Sequence, residues 1–320
     1  MRKLFSALVA LLASAPSTTV GFAGPSSADT TGPAESMVIY TTPFAPTSPF
    51  NTKVPAGATV DAKSPSMIAR AARDDAMYAN VGEFGIPIYT GSSSSAEKTV
   101  TVRCTITDWG PCPFDGYQIP IPVGAAPAPG SDGAMVIVDT ATRRVYEMWQ
   151  AKPSGRNWTA SFGAVGDLDG WGWGGAGTGA GASRLGGVIR MTEVGDGLVP
   201  HALAIQVDNA CGRVFRTPAV KTDGQSNRPD CIPEGARLRL DPSVNLAALP
   251  LTPIERAVGR ALQDYGAFVV DQGGAALSVS VELDPRANSS TVGATYQGAG
   301  LQWDYDSMSG LPYSRLQVLS

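Results

Sequence analysis

Short hydrophobic segments that alternate with polar residues dominate the chain, and they predict a protein built mostly of β-strands. Residues 99–107 alternate between the two classes along their length, as expected for a half-buried strand. Residues 134–138 and 144–150 form the clearest hairpin, because a short polar turn separates two hydrophobic runs. A second hairpin is predicted from residues 268–270 and 277–283, which flank a Gln-Gly-Gly turn.

Two segments carry the signals of helices. Residues 64–78 begin with a serine and an early proline and continue with a hydrophobic stripe, which predicts a helix packed on a sheet. Thr252 and Glu255 form a capping box with proline at the first helical position, and Gly266 ends the helix that follows. We therefore predict a single β-sandwich or jelly-roll-like domain with two short packed helices.

The composition supports many short strands joined by tight turns. Glycine (37 residues) and proline (25) are frequent, whereas only 16% of the residues are charged, and this balance disfavours a helical bundle. The formal net charge of −4 becomes −6 once the two basic residues at the N-terminus are removed with a signal peptide. An acidic chain with scattered Lys and Arg is not expected to bind nucleic acid or anionic membrane surfaces.

The first residues predict export from the cell. Two basic residues precede a hydrophobic run at residues 4–12, which is too short to span a membrane, and small residues follow it. We expect the mature protein to be secreted and extracellular, without an integral membrane segment. The chain then divides into a signal peptide at residues 1–28, a disordered Ser/Thr/Pro/Ala-rich arm at 29–48 and a single β-rich domain at 49–320.

Four cysteines, namely Cys104, Cys112, Cys211 and Cys231, predict two disulfide bonds in an exported protein. Three pairings are possible, and the most economical one joins each cysteine to its neighbour in sequence. A zinc site is not expected, because the chain contains no CxxC pair and a single histidine.

The segment from residue 183 to residue 207 is the strongest candidate for chemistry, and it contains the only histidine of the protein. His201 could act as a general base, and a hydrogen-bonded histidine at the edge of the core is the structural alternative. Glu193 could serve as an acid or a nucleophile, with Arg190 binding a substrate carboxylate through a bidentate fork. Alternatively, Arg190 and Glu193 form a local structural ion pair, since they lie three residues apart.

Two further carboxylates are candidates for the second acidic group of a catalytic pair. Glu147 shares a strand face with Trp149, and a carboxylate beside an indole resembles a sugar subsite. The structural alternative for Glu147 is a solvent-facing position on the sheet. Asp271 ends a hydrophobic strand and begins a turn, and turn chemistry alone would explain an aspartate there.

Residues 167–187 form a long glycine-rich loop, and long loops in compact domains are usually functional or disordered. Trp171 and Trp173 in this loop offer aromatic faces for sugar rings, or else pack the loop against itself. Asp167 and Asp169 resemble the start of a calcium loop, but the later ligands are missing. We predict no metal site and no cofactor.

Around the histidine the chain resembles a broad, poorly characterised family of exported bacterial proteins. The shared pattern is Leu-x-Gly-x-Ile-Arg, an acidic residue and a His-Ala-Leu strand, found here at residues 185–190, at Glu193 and at residues 201–203. Similar features extend over most of residues 48–318. The resemblance implies an exported β-rich domain, and it implies no particular reaction.

These features favour a secreted carbohydrate-active enzyme, a glycoside hydrolase that cleaves an extracellular polysaccharide or oligosaccharide in a cleft of the β-sandwich. We expect Glu193 and His201 to be the central catalytic groups, with Glu147 or Asp271 as the second carboxylate. The residues expected to bind substrate are Arg190, Trp149, Trp171 and Trp173.

Two other functions remain open from the sequence. The main alternative is a non-catalytic secreted carbohydrate-binding or cell-surface module, in which the same residues hold the long loop. A polysaccharide lyase that acts on a uronate polymer is a further alternative, with His201 or Tyr146 as the base and Arg190 as the neutralising group.

Overall fold

The hydrophobic segments pair into sheets in a computed structural model that describes residues 42–94, 99–288 and 290–320. The predicted signal peptide and the first part of the predicted arm lie outside these residues. The described ranges contain the helices α1 (Ser64–Ala71), α2 (Met191–Asp196), α3 (Pro253–Asp264) and α4 (Ala294–Ala299). They contain the strands β1 (Tyr78–Ala79), β2 (Ile88–Gly91), β3 (Val100–Cys104), β4 (Gln118–Ile119), β5 (Met135–Asp139), β6 (Arg144–Trp149), β7 (Lys152–Ser154), β8 (Asn157–Ala160), β9 (Phe162–Asp167), β10 (Leu203–Val207), β11 (Ala210–Phe215), β12 (Ile232–Glu234), β13 (Arg237–Leu240), β14 (Ala267–Gln272), β15 (Ser278–Val279) and β16 (Leu316–Val318).

The strands form three larger sheets and one separate pair. Sheet A has six strands in the order β1-β15-β10-β14-β13-β16. Sheet B has the order β2-β5-β6-β9, and sheet C has the order β4-β3-β8-β7. Strands β11 and β12 pair with each other. The prediction of a mostly-β, sandwich-like fold is confirmed.

Sheet B lies between the other two sheets because both of its faces are hydrophobic. All five residues of β5 are buried, which is typical of a strand that is covered on both sides. Val136 and Val138 pack with residues of sheet A, whereas Met135 and Ile137 pack with residues of sheet C. The fold is therefore a stack of three sheets, with one layer more than a simple sandwich.

Helix α3 packs on the outer face of sheet A, as its hydrophobic stripe predicts. Ile254 and Val258 are buried in one cluster with Leu203 of β10. The predicted capping box is also confirmed, because the Thr252 N–H donates to the Glu255 carboxylate at 2.8 Å. The helix thereby satisfies its first free N–H groups and closes the outer side of the core.

Helix α1 is shorter than the sequence predicts. It ends at Ala71, and Asp75 then adopts a left-handed backbone with φ of 48°. Residues 78 and 79 form β1 instead, which pairs in parallel with β15 at the edge of sheet A. Pairing of residues 78 and 79 with β15 thus outweighs the helix propensity at the end of the segment 64–78. Helices α2 and α4, each of six residues, have no counterpart in the prediction.

The prediction of a second hairpin from residues 268–270 and 277–283 is wrong. Strand β10 lies between β14 and β15, and it pairs in parallel with the first and antiparallel with the second. Alternation shows which face of a strand is buried, but it does not show which strand is its neighbour, so the pattern fits both arrangements. The hairpin predicted from residues 134–150 is confirmed, with Asp139 opposite Arg144.

Residues 42–48 pack on the domain, although the sequence assigns residues up to 48 to a disordered arm. Phe44 is buried against Phe50, with 6.4 Å between the ring centroids. The Asn51 side-chain amide donates to the Pro43 carbonyl at 2.9 Å, and Ser48 is fully buried. A phenylalanine within a polar segment is thus sufficient to fix the end of the arm on the domain.

The disulfides join sequence neighbours, Cys104 with Cys112 and Cys211 with Cys231. Of the three possible pairings, this is the one that the sequence favours. Disulfides are typical of proteins that mature in an oxidising compartment. Among the helices of the described ranges, none is long and apolar enough to cross a membrane.

Asp139 generates a testable prediction about stability, because this buried carboxylate holds the turn after β5. It accepts hydrogen bonds from the Ser93 hydroxyl and the Thr142 hydroxyl, both at 2.7 Å, and from the backbone N–H groups of Ser93 and Ala141. We expect Asp139→Ala to lower the free energy of unfolding by about 2 kcal/mol at pH 7, since the four donors lose their partner. Urea unfolding of the two proteins measures this difference.

The same contacts set the pH dependence of this effect. Burial raises the pKa of Asp139, but the hydrogen bonds outweigh burial and hold the pKa below its usual value. The contribution to stability is therefore complete above about pH 4 and is lost as the pH falls through the lowered pKa of the folded state. The exposed Asp74→Ala is the control and should change stability by less than about 0.5 kcal/mol. A difference between wild type and Asp139→Ala that stays constant down to pH 2 would contradict this account.

Candidate functional site

A wide cleft of about 760 Å³ opens where sheets A and B meet. One side is formed by Trp149 and Phe162 of sheet B, and the other by Asp271 near the end of β14. The glycine-rich residues 174–179 form a third part of the lining. We call this opening the carboxylate cleft, because several acidic side chains line it.

Three carboxylates meet beside the cleft, and each comes from a different element. Asp271 lies on β14, Glu234 ends β12, and Asp223 lies in the loop closed by the second disulfide. One oxygen of each residue lies within 4.8 Å of an oxygen of the other two. We call these three residues the acidic cluster. Such a set of oxygens could hold protons between them or bind a hard cation.

Backbone N–H groups fix two members of the acidic cluster. The Gly179 N–H donates to Asp271 Oδ1 at 3.1 Å, and the Gln272 N–H donates to Asp223 Oδ1 at 3.2 Å. No side chain fits at Gly179, because a Cβ atom there would overlap both aspartate carboxylates. The backbone of the glycine-rich loop therefore lies directly against the acidic cluster.

The third member, Glu234, is fully buried, and neither of its carboxylate oxygens has a hydrogen-bond partner among the described residues. Burial, together with the neighbouring Asp223, raises the pKa of Glu234 to about 9. Burial likewise raises the pKa of Asp271 to about 7, against the lowering effect of Arg184 and with a further contribution from Asp223. Both carboxyl groups therefore hold a proton more strongly than an exposed carboxyl group does.

Aromatic rings form the opposite end of the carboxylate cleft. The Trp109 indole is 61% exposed and stacks on Trp149, with 5.6 Å between centroids and 21° between planes. Phe162 meets Trp109 edge-on at 5.7 Å. The Trp149 Nε1–H donates to Asp132 at 3.3 Å, which holds the lower indole in place. An exposed indole on a fixed base is a suitable surface for the C–H face of a sugar ring.

A second cavity of about 550 Å³ continues from the cleft. Asp132, Arg184 and Asp271 line both cavities, so the openings meet at these side chains. In the second cavity, Asn80 Oδ1 is buried without a hydrogen-bond partner among the described residues. Together the two cavities form a groove with Asp271 near its middle.

Of the predicted catalytic residues, Glu147 and Asp271 both line the carboxylate cleft. Glu147 is 1% exposed, and its carboxylate accepts a hydrogen bond from the Ser183 hydroxyl. Burial raises the pKa of Glu147, although the hydrogen bond from Ser183 opposes this effect. Gly177 has no room for a side chain, because a Cβ atom would overlap the Glu147 carboxylate. The expectation of a solvent-facing Glu147 is therefore wrong.

Glu193 and His201 lie together in the interior and line neither of the two large cavities. Both are 4% exposed, and His201 Nε2 lies 3.1 Å from Glu193 Oε1. His201 Nδ1 lies 2.9 Å from the Ala202 carbonyl, which can only accept, so Nδ1 carries a proton. Nε2 is directed at the Glu193 carboxylate. Their predicted catalytic roles stay predictions.

Arg190 belongs to the same buried network and is 1% exposed. Its guanidinium donates to the Leu185 carbonyl at 2.6 Å, and its backbone N–H donates to the Glu193 carboxylate at 2.7 Å. The second contact closes the first turn of α2, as an acidic residue at this helix position commonly does. The network joins the end of the long loop to α2 and to the entry of β10. Substrate binding by Arg190 stays a prediction.

The two tryptophans of the long loop have different surroundings. Trp173 stacks on Phe50 at 5.2 Å and meets Phe268 edge-on at 5.6 Å, so it packs the loop onto the domain. Trp171 is 51% exposed and lines a smaller cavity of about 230 Å³ beside Phe44. Neither lines the carboxylate cleft, whereas Trp149 does.

Asp223, Glu234 and Trp109 are among the residues of the site that were not predicted from the sequence. Each lies in or beside a disulfide-bonded loop. The positions of the cysteines are the sequence signal that marks these loops. Asp169, at the start of the segment that resembles a calcium loop, pairs with Arg143 at 2.6 Å. Comparison with protein-family models, with curated proteins and with solved structures finds no match to this chain.

The buried network leads to a prediction that separates a structural role from a catalytic one. Removing the carboxylate in Glu193→Ala leaves His201 and the Arg190 N–H without their partner. We expect the free energy of unfolding to fall by about 3 kcal/mol, as is usual when one member of a buried pair is removed. Chemical denaturation measures this change. The control is Asp196→Ala, an exposed acidic residue of the same helix, which should change stability by less than about 0.5 kcal/mol. Intact stability with abolished turnover would instead support the catalytic role predicted from the sequence.

Proposed function

We propose that the protein is a secreted carbohydrate-active enzyme, a glycoside hydrolase that acts on an extracellular polysaccharide in the carboxylate cleft. The single observation behind this proposal is that an exposed, stacked indole and a cluster of carboxylates line the same cleft. Sugar-binding sites need an aromatic surface for the ring, and glycosidic cleavage needs carboxyl groups beside the scissile bond.

The placement of the carboxylates limits the mechanism. Inverting hydrolases keep their two carboxyl groups roughly 6.5–9.5 Å apart, so that a water molecule fits beside the sugar. One oxygen of Asp223 lies within 4.8 Å of one oxygen of Asp271. This proximity favours the closer spacing of retaining enzymes, roughly 5–5.5 Å between carboxyl groups, over the wider one. In the proposed active site, Asp223 and Asp271 therefore act together. Arg184 lies beside them and donates hydrogen bonds to substrate hydroxyls.

The charge of the cleft favours a neutral polysaccharide over a uronate polymer. The acidic lining residues outnumber the basic ones, which are Arg184 and Lys221. A polyanion would meet a net negative surface. Of the bases considered for a lyase, His201 lies in the buried network, and Tyr146 is 4% exposed on the face of sheet B that packs on sheet C. These positions support a hydrolase rather than a lyase.

A non-catalytic carbohydrate-binding module is the second candidate, and the exposed Trp109 favours it as much as it favours the enzyme. The acidic cluster distinguishes the two functions. Sugar binding alone does not require three mutually repelling carboxylates, whereas catalysis uses groups of unusual proton affinity. The two functions therefore predict different effects of a substitution at Asp271.

Asp271→Asn provides the test of catalysis. We expect the rate of hydrolysis to fall by a factor of at least about 10³, since the amide can neither donate a proton nor act as a carboxylate. Reducing ends released from a panel of neutral polysaccharides measure the rate. Stability should remain or increase, because one of the repelling charges is removed. Asp196→Asn is the control and should hydrolyse at the wild-type rate. Wild-type protein that binds a polysaccharide without releasing reducing ends would establish the binding module instead, and an unsaturated product absorbing in the near ultraviolet would establish a lyase.

Trp109→Ala tests the aromatic surface. We expect KM to rise by about 5–10-fold with little change in kcat, because the indole contacts the substrate equally in the ground and transition states. The matched control is Trp303→Ala, since Trp303 is exposed to 62% and lines neither large cavity. Steady-state kinetics on an active polysaccharide measure both variants. An equal rise in KM for Trp109→Ala and Trp303→Ala would contradict a specific role of Trp109 in substrate binding.

A further inference from the structure

We propose that Asp223, Glu234 and Asp271 bind one hard divalent cation, with Ca²⁺ as the best-fitting ion, at the inner side of the carboxylate cleft. Carboxylate oxygens are the ligands that such ions prefer in proteins.

The spacing of the oxygens fits a calcium ion. Three oxygens that are no more than 4.8 Å apart can all lie within about 2.8 Å of a common centre, close to the 2.3–2.6 Å of calcium–oxygen bonds. Magnesium requires a nearly ideal octahedron, keeps several water molecules and is usually bound by only one or two carboxylates, so a set of three carboxylates favours calcium.

Glu234 gives an independent indication of a ligand. It is fully buried, its side chain is directed at the two aspartates, and neither oxygen has a hydrogen-bond partner among the described residues. A charged carboxylate buried without a partner is strongly disfavoured, so such groups are normally protonated, paired or bound to a metal. Asp223 and Asp271 each accept one backbone N–H, which leaves further lone pairs for an ion.

The elements around the cluster hold the ligands in place before an ion binds. The disulfide between Cys211 and Cys231 closes the loop that carries Asp223, and Cys231 is three residues from Glu234. On the opposite side, the backbone at Gly179 contacts both aspartates. Asp223 and Asp271 line the cleft, whereas Glu234 lies behind them. An ion with six to eight ligands would thus keep open positions toward the cleft for water and for sugar hydroxyls.

A bound cation would give the proposed hydrolase a group that polarises a sugar hydroxyl or a water molecule at the centre of the groove. This catalytic role rests on the proposed function, whereas binding of the ion does not. The two can therefore fail separately, and the experiment measures them separately.

The experiment uses the full mature chain after dialysis against a chelator. Isothermal titration with CaCl₂ should show one site per chain, and the midpoint of thermal unfolding should rise with the calcium concentration. We expect Glu234→Gln and Asp223→Asn to bind Ca²⁺ at least ~10-fold more weakly, since each removes a charged ligand. The matched control is Asp230→Asn, because Asp230 lies in the same disulfide loop but pairs with Arg228 at 2.8 Å. Near-ultraviolet circular dichroism confirms that the variants are folded.

The outcomes are distinct. Absence of calcium binding by the wild-type chain at millimolar Ca²⁺ overturns the site, as does an equal loss of affinity in Asp230→Asn and Glu234→Gln. Calcium binding that is lost in the two cluster variants and retained in the control supports the site, even if no polysaccharide is cleaved, in which case the proposed function fails alone. Full hydrolytic activity in the chelated protein would overturn the catalytic role of the ion and leave the proposed function intact.

Discussion

The close approach of a glycine-rich backbone to three carboxylates is the constraint on which the candidate site depends. At Gly177 and at Gly179 there is no space for a side chain, because Glu147 occupies the first position and two aspartates the second. Close contact allows the backbone N–H of Gly179 to hold Asp271. Any residue with a Cβ atom at these positions would push the loop away from the cluster and widen the cleft. Gly177 and Gly179 are therefore required for close packing.

The local parts of the fold could be predicted, because their signals lie in adjacent residues. The turn at Asp139, the capping box at Thr252 and the pairing of neighbouring cysteines each depend on a few residues in sequence. The position of β10 between β14 and β15 could not be predicted, since it depends on pairing between distant segments that share one pattern. The presence of a third sheet was not predicted for a similar reason. The continuous hydrophobic run of β5 nevertheless indicates burial on both faces.

The candidate site was predicted less well than the fold. Sequence reasoning favoured residues with versatile chemistry that lie close together, namely Arg190, Glu193 and His201, and the structure places them in a buried network. The acidic cluster combines residues from three separate elements, and a lone aspartate before a glycine is ordinary in a loop. Glu147 and Asp271 were found because each ends or lines a strong strand. A site formed by residues that are far apart in the chain leaves little signal in the pattern of one sequence.

Both disulfides close loops that border the cleft, and each begins at a strand, since Cys104 ends β3 and Cys211 lies in β11. One closes the loop that presents Trp109, and the other closes the loop that presents Asp223. The sheets are held by burial and by backbone hydrogen bonds, which do not depend on the oxidation state of cysteine. A chain that folds in reducing surroundings would thus assemble its core while both loops stay loose. The cleft would reach its final shape only after transfer to an oxidising compartment, which couples the maturation of the site to the location of the protein.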